Sequence, residues 1–177
     1  MRMIYRLRQL WETLHARPTA PDLALAQGVL APALIALFLR LQPSEQAHSL
    51  RILGQLLEQG ENHPDLLAAA LLHDVGKSRY PLQVWDRIVI VVGKAVLPKQ
   101  ARFWGQGQPR GWRRAFVIAE QHPVWGAEMA GGAGASPLTV SLIRNHQEIT
   151  TPPGHLAETP QIENLLLHRL QRLDDES

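Results

Sequence analysis

The sequence predicts an all-α protein, a single-domain helical bundle, on three observations. Leucine-rich stretches repeat at helical spacing. Several helix starts are marked by a capping residue followed by proline, most clearly Ser136-Pro137 and Thr159-Pro160. The run with strand propensity, Ile88-Val89-Ile90-Val91-Val92, has no second strand pattern nearby, and an isolated strand is not stable. With 177 residues, 45% of them apolar and 19% charged, the chain is long enough for one proper core and short for two.

Residues 2–17 read as an amphipathic helix with arginines on its polar side, ended by Pro18 and Pro21. A second helical region runs from about 22 to 41, where Pro32 starts a new segment or kinks the old one and Pro43 closes it. Residues 23–41 are apolar enough to raise a membrane span, but Gln27, Gly28 and Pro32 interrupt them and Arg40 ends them, which favours a buried helix pair. Residues 1–43 are thus expected to be a helical extension packed on a core domain of residues 44–177.

Ser44 is expected to cap a helix through Gln59, with the stripe Leu50, Leu53, Leu56 and Leu57 and Gly60 as its stop. Asn62-His63-Pro64 starts the next helix, with Pro64 in the first helical position. Its residues Leu66, Leu67, Ala69, Leu71 and Leu72 point in every direction, the mark of a helix buried on all sides. Residues 78–121 are less legible; the Ile88–Val92 run is assigned to a helix. Residues 105–111 form a Gly- and Gln-rich loop followed by a helical segment to Glu120, and Pro123 opens another that ends at Gly131-Gly132. Helices are expected over 137–147 and 160–174, with a loop over 150–155 between them.

The buried helix runs directly into His73-Asp74 and then Val75-Gly76-Lys77. An ionised carboxylate at a buried end must be paired, hydrogen-bonded or bound to a cation. A metal ion would satisfy both side chains of the doublet. The chain has no cysteine, which removes disulfides, thiolate metal sites and cysteine nucleophiles, so any metal must take nitrogen and oxygen ligands. The formal charge of +2 does not argue for nucleic acid, and no DNA partner is expected. The basic N-terminus lacks a compact apolar region with a small-residue cleavage site, and the expected location is cytoplasmic.

Eight histidines is a high count, and helical phase separates them. His48 lies about 150° from the leucine stripe of its helix and shares a face with Ile52, so packing against the stripe does not explain it. A lone surface histidine is the plain alternative. His146 falls with Leu138, Leu142 and Ile143 on an inward face, where a satisfied core histidine would do as well. His122 precedes Pro123 at an expected helix entry, a place suited to a turn residue. His15, His63, His155 and His168 are read as structural or solvated. In the last helix Ile162, Leu165, Leu166, Leu170 and Leu173 form the expected buried stripe, with Asp174 at its border and Asp175 farther round. Asp174 is the preferred functional acid.

Taken together, Ala47-His48-Ser49-Leu50, the Leu-Leu-His-Asp-Val-Gly-Lys run and the late Asp174 make the chain resemble the HD-domain metal-dependent phosphohydrolases over roughly residues 44–175. That family is all-α. The segments around His122-Pro123-Val124-Trp125-Gly126-Ala127 and Asn145-His146-Gln147-Glu148 look like those by which family members add a second metal. The resemblance implies that His48, His73, Asp74 and Asp174 hold a first ion and that Asp74 bridges to a second held by His122 and His146. It implies one or two divalent ions, Mn or Fe, with Zn, Mg, Ni and Co also suited to such ligands. The implied chemistry is an activated water aimed at phosphorus. The cyclic-di-GMP phosphodiesterases called HD-GYP fit less well: the Gly-Tyr-Pro signature is absent, and Asn145-His146 stands where that subfamily has two consecutive histidines.

Lys77 follows the doublet by three residues and is expected to act in catalysis with Asp74 and to meet a phosphate oxygen. Arg51, one turn after His48, and Arg144, two residues before His146, are further candidate phosphate clamps, with solvated helix charges as the alternative. Residues 75–119 carry nine Lys or Arg and one acid, Asp86, interleaved with Trp85, Phe103, Trp104 and Trp112. This segment could wall an anionic substrate, form a solvated face, or contact RNA, anionic lipid or protein through residues 94–114. The function expected is hydrolysis of a phosphate ester or anhydride, of a nucleotide or related anionic small molecule. The alternatives are a non-catalytic nucleotide- or metal-binding sensor and a purely structural helical module.

Overall fold

The computed structural model describes residues 17–148 and 161–176. The expected helix over 2–17, the loop over 150–155 and the Thr159-Pro160 start lie outside those residues, apart from Arg17. The regular structure of the described residues is all helical, with no strand among them. Their order is α1 (Ala20–Val29), α2 (Pro32–Phe38), α3 (Pro43–Glu58), α4 (Pro64–Leu72), a 3-10 turn (Val75–Arg79), α5 (Val84–Val96), α6 (Pro98–Trp104), a second 3-10 turn (Gly111–Arg113), α7 (Arg114–Gly132), α8 (Pro137–Asn145) and α9 (Gln161–Glu176).

The middle of the molecule is α4. Every residue from Leu66 to Leu72 is at most 9% exposed, and α1, α2, α3, α8 and α9 all pack around it. Its four leucines each contribute roughly 1.5–3 kcal/mol of gross burial. His63 precedes it in extended conformation and Pro64 occupies its first turn, where the missing N–H breaks no hydrogen bond. At the same end the Asp65 carboxylate accepts from the hydroxyls of Ser136 and Thr139, tying the start of α4 to the start of α8. Ser136 caps α8 as its sequence suggested, accepting from the Thr139 N–H at 3.0 Å.

Two boundaries and two buried stripes differ from expectation. Pro43 does not close α2 but opens α3; Gln42 is the flanking residue, its N–H donating to the Glu45 carboxylate at 3.1 Å, so Ser44 lies inside the helix rather than capping it. The break expected between Glu120 and Pro123 is absent. α7 runs through Pro123, because losing one backbone hydrogen bond, at about 3 kcal/mol, is outweighed by packing on both sides of it, from Ala115–Ala119 and from Gly126, Ala127 and Ala130. The stripe of α9 is Leu166, Leu167, Leu170 and Leu173; Ile162 and Leu165 are 49% and 40% exposed. Leu57 likewise leaves the stripe of α3, which instead buries Ile52 on its second side. Gly60 ends α3 as expected, at φ 76°, with its N–H donating to the Leu57 carbonyl.

The Ile88–Val92 run forms part of α5, a helix as expected. α5 lies close on α7 because Gly93 has no side chain; a Cβ there would come 2.5 Å from the Phe116 ring. Arg87 of α5 donates to the buried Glu45 carboxylate at 3.0 Å, and Asp86 accepts from Arg114 of α7.

The N-terminal helices enter the same core as the rest: Ala26, Leu30, Leu34, Phe38 and Leu41 belong to the apolar cluster built on α4. Phe38 is fully buried. Replacing it with Ala is expected to cost about 3–5 kcal/mol, read as a lowered midpoint in denaturant unfolding with an unchanged slope; a loss under about 1 kcal/mol would mean that α2 packs only loosely.

Candidate metal centre

At its C-terminal end α4 delivers His73 and Asp74 into the interior, where they are 0% and 4% exposed. His73 is the last helical-conformation residue and Asp74 begins the 3-10 turn, so the two side chains diverge toward different neighbours. The His73 Nε2 lies 3.6 Å from Asp74 Oδ2 and 3.5 Å from Asp174 Oδ1. His48 of α3 reaches the same place, its Nε2 2.8 Å from Asp174 Oδ1. On the other side, His122 Nε2 lies 3.1 Å from Asp74 Oδ1 and 3.3 Å from His146 Nε2. Two three-residue groups of ligand spacing result, His48–His73–Asp74 and Asp74–His122–His146, sharing the Asp74 carboxylate. Asp174, in the last turn of α9, completes the first.

Three imidazoles are oriented by the backbone. His73 Nδ1 is 3.0 Å from the Ala70 carbonyl, His122 Nδ1 3.0 Å from that of Ile118, and His146 Nδ1 2.8 Å from that of Ile143. A carbonyl oxygen only accepts, so each Nδ1 carries the proton, and in the neutral ring each Nε2 presents a lone pair to the centre. Such an outer hydrogen bond is how metal-ligating histidines are commonly oriented. Two observations fit a cation there. His73 Nε2 is buried without a hydrogen-bond partner, and the neutral His122 and His146 rings would bring lone pairs face to face at 3.3 Å. Imidazole nitrogens and carboxylate oxygens suit divalent ions of the Mn, Fe or Zn type.

Electrostatics concentrate on the same groups. Burial would raise Asp74, but Lys77, then His73 and His122, outweigh it and hold the carboxyl well below its usual range. Burial likewise opposes ionisation of Asp174, and His73 and His48 reverse the effect, so it too stays ionised. Burial alone would lower His73; the flanking Asp74 and Asp174 push it up to about 9. His146, with burial first and the neighbouring His73 and His122 adding to it, is pushed down to about 3. The centre thus combines two carboxylates held ionised, a His73 ring that they hold protonated and a neutral His146, so positive charge is favoured between the carboxylates.

The remaining expected residues divide. Lys77 is at the centre, but its ammonium pairs with Asp74 Oδ2 at 2.6 Å, with the side chain 21% exposed. Arg144 is exposed and lines a cleft of about 710 Å³ that reaches His146 and Asp174. Arg51 is exposed on α3 and is not among the residues lining that cleft. His63 sits near Asp65 at 3.8 Å and His168 is exposed, both away from the cluster; His15 and His155 lie outside the described residues. His122 is not at a helix entry but in the middle of α7, fully buried. α5 and α6 supply Lys94 and Arg102 to the same cleft. The basic content of the 75–119 segment hinted at these two, but nothing in their own spacing singled them out.

Two glycines were not legible as parts of the centre. A Cβ on Gly76 would stand 2.0 Å from the His122 carbonyl oxygen and 2.7 Å from the Gly126 nitrogen, and a Cβ on Gly126 would stand 3.1 Å from the Gly76 nitrogen. The 3-10 turn and α7 therefore touch backbone to backbone, and that contact brings His122 within reach of Asp74. The available signal was positional: Gly76 lies two residues after Asp74, and Gly126 one helical turn after His122. Gly76→Ala is expected to destabilise the fold by about 1–3 kcal/mol or more through overpacking and to weaken metal binding by separating His122 from Asp74. Calorimetry and metal titration of the variant check this; unchanged affinity would show that the close contact does not position the site.

The HD domain family model matches residues 46–175, a span that starts just before His48 and ends just past Asp174. No curated protein and no solved structure matches the chain. The ordered histidines and acids, the all-α architecture around them and a match over well over half of the chain lead to one conclusion: this chain belongs to the HD domain family.

Proposed function

We propose that the protein is a cytoplasmic metal-dependent phosphohydrolase that cleaves a phosphate ester or anhydride in a nucleotide or related anionic small molecule. The observation that carries this reading is the shared carboxylate: Asp74 presents Oδ2 to the His48–His73–Asp174 side and Oδ1 to the His122–His146 side, in two groups of ligand spacing. When bound, one or two divalent ions would supply Lewis acidity and lower the pKa of a water at neutral pH.

The chain's own residues account for the rest. The carbonyls of Ala70, Ile118 and Ile143 hold the imidazoles in one tautomer and orientation. Lys77 balances the charge of Asp74 and keeps it ionised while buried. Arg144, Lys94 and Arg102 give the cleft positive walls against which phosphoryl oxygens can lie, while Glu120, Glu148 and Asp175 interrupt that charge. The buried floor excludes bulk water, so charge–charge attraction there is stronger than at the surface.

Purified protein is expected to carry about one to two equivalents of Mn- or Fe-type metal by elemental analysis. Metal at about a hundredfold its Kd should stabilise the fold by about 2.7 kcal/mol, and chelation should reverse the gain. Screening nucleoside mono-, di- and dinucleoside phosphates with Mn²⁺ should identify a substrate, and His73→Ala and Asp74→Ala should each abolish its turnover. Undiminished activity in metal-free protein would overturn the reading. Tight metal and nucleotide binding without turnover of any phosphate ester would replace it with a sensor.

A further inference from the structure

The helix α5 is turned the opposite way from an ordinary amphipathic helix. At about 100° per residue, Val84, Trp85, Ile88, Val91, Val92, Ala95 and Val96 fall within an arc of about 140°, with no charged residue among them. That side faces outward: Trp85 is 70% exposed, Val96 69%, Val92 53%, Val84 51% and Val91 43%. No residue of α5 is buried. The charged residues lie on the other side and are engaged there, Arg87 with Glu45 and Asp86 with Arg114, while Lys94 lines the cleft. Gly93 sits against Phe116. Rotating the helix to bury the valines would break both ion pairs and drive side chains into Phe116, so the outward orientation is set by the packing.

The apolar side continues along the chain. Leu97 is 40% exposed, Phe103 of α6 61% and Trp112 64%. The Arg113 guanidinium stands 5.6 Å from the Phe103 ring centre and 5.5 Å from that of Trp112. Lys99 and Arg110 of the same segment are exposed as well. Between residues 75 and 119 the only acid is Asp86, already paired with Arg114. Glu120 lies on the cleft side, against Gly105 and near Lys94; an exposed aliphatic and aromatic surface whose other charged neighbours in this segment are cations matches a partner that is apolar within and anionic at its rim.

We propose that the α5–α6 face docks on an anionic phospholipid bilayer, lying in the interface with Trp85, Val92 and Val96 among the acyl chains and Lys99, Arg110 and Arg113 at the headgroups. Charge complementarity decides among possible occupants. A second copy of this face would meet cations with cations; residues 1–16, whose arginines are read on the polar side of an amphipathic helix, are tested as an occupant by their removal. RNA would match the charge and could stack on the tryptophans, but it has no use for exposed valines. None of the helices in the described residues is long and apolar enough to cross a membrane, which fits a helix that lies on a bilayer. The proposal does not rest on the reaction proposed above.

The full chain should co-sediment with vesicles of phosphatidylglycerol and phosphatidylcholine at about 0.15 M salt and not with phosphatidylcholine alone, with a blue shift of tryptophan emission. Val92→Asp with Val96→Asp, and separately Lys99→Glu with Arg110→Glu, should each weaken binding at least about tenfold, with helical circular dichroism and metal binding unchanged. All four residues are exposed, so neither pair should disturb folding. Equal binding to neutral vesicles, or no effect of either pair, overturns the proposal. So does a dimer that the valine pair dissolves, vesicle binding that appears only after residues 1–16 are removed, or displacement from vesicles by RNA through the same residues.

Discussion

The structure depends on keeping one carboxylate, Asp74, ionised while 4% exposed. A buried charge of this kind is tolerated only when every oxygen has a partner, and here the partners arrive from the whole molecule. Lys77 comes from the adjoining turn, His73 from the chain neighbour on α4, and His122 from the middle of α7. Asp174 of α9 joins the same cluster through His73, and His48 of α3 through Asp174. The requirement therefore links helices separated by most of the sequence, and losing one partner leaves the others in a costly environment.

The backbone meets that requirement by giving up regularity where the cluster forms. α4 stops at Leu72 and the chain tightens into a 3-10 turn, which separates the directions of His73 and Asp74. Gly76 and Gly126 let the turn and α7 touch without side chains between them. Pro123, next to His122, is retained inside α7 although it removes a hydrogen bond, because the flanking turns are packed on both sides. These features share one outcome, the 3.1 Å approach of His122 to Asp74.

Away from the cluster, α5 serves two surfaces at once. Its polar side is anchored to α3 and α7 and sends Lys94 into the cleft, which leaves its apolar side without a partner among the described residues. The usual force that turns an amphipathic helix is burial of its apolar face. Here two ion pairs and the Gly93–Phe116 contact hold the opposite orientation, a geometry consistent with a helix that also serves an external apolar phase.

Much was legible from the chain alone, where the controlling physics is local or periodic. The all-α class followed from capping residues, prolines and leucine spacing, and the burial of α4 from apolar residues pointing in every direction. That the Asp74 carboxylate must be paired, hydrogen-bonded or bound to a cation followed from the cost of a buried charge. Tertiary structure decided what depends on contacts between distant segments. Pro123 reads locally as a break, yet packing carries α7 through it; Ile162 and Leu165 share the phase of a buried stripe, yet α9 rests on Leu167 instead. Arg51 and Arg144 look equivalent by distance from a histidine, but only Arg144 lines the cleft. Nor could sequence show that Gly76 must lack a Cβ or that the valines of α5 face outward, because the atoms responsible, the His122 carbonyl and the Phe116 ring, lie more than twenty residues away along the chain and meet them only in the folded protein.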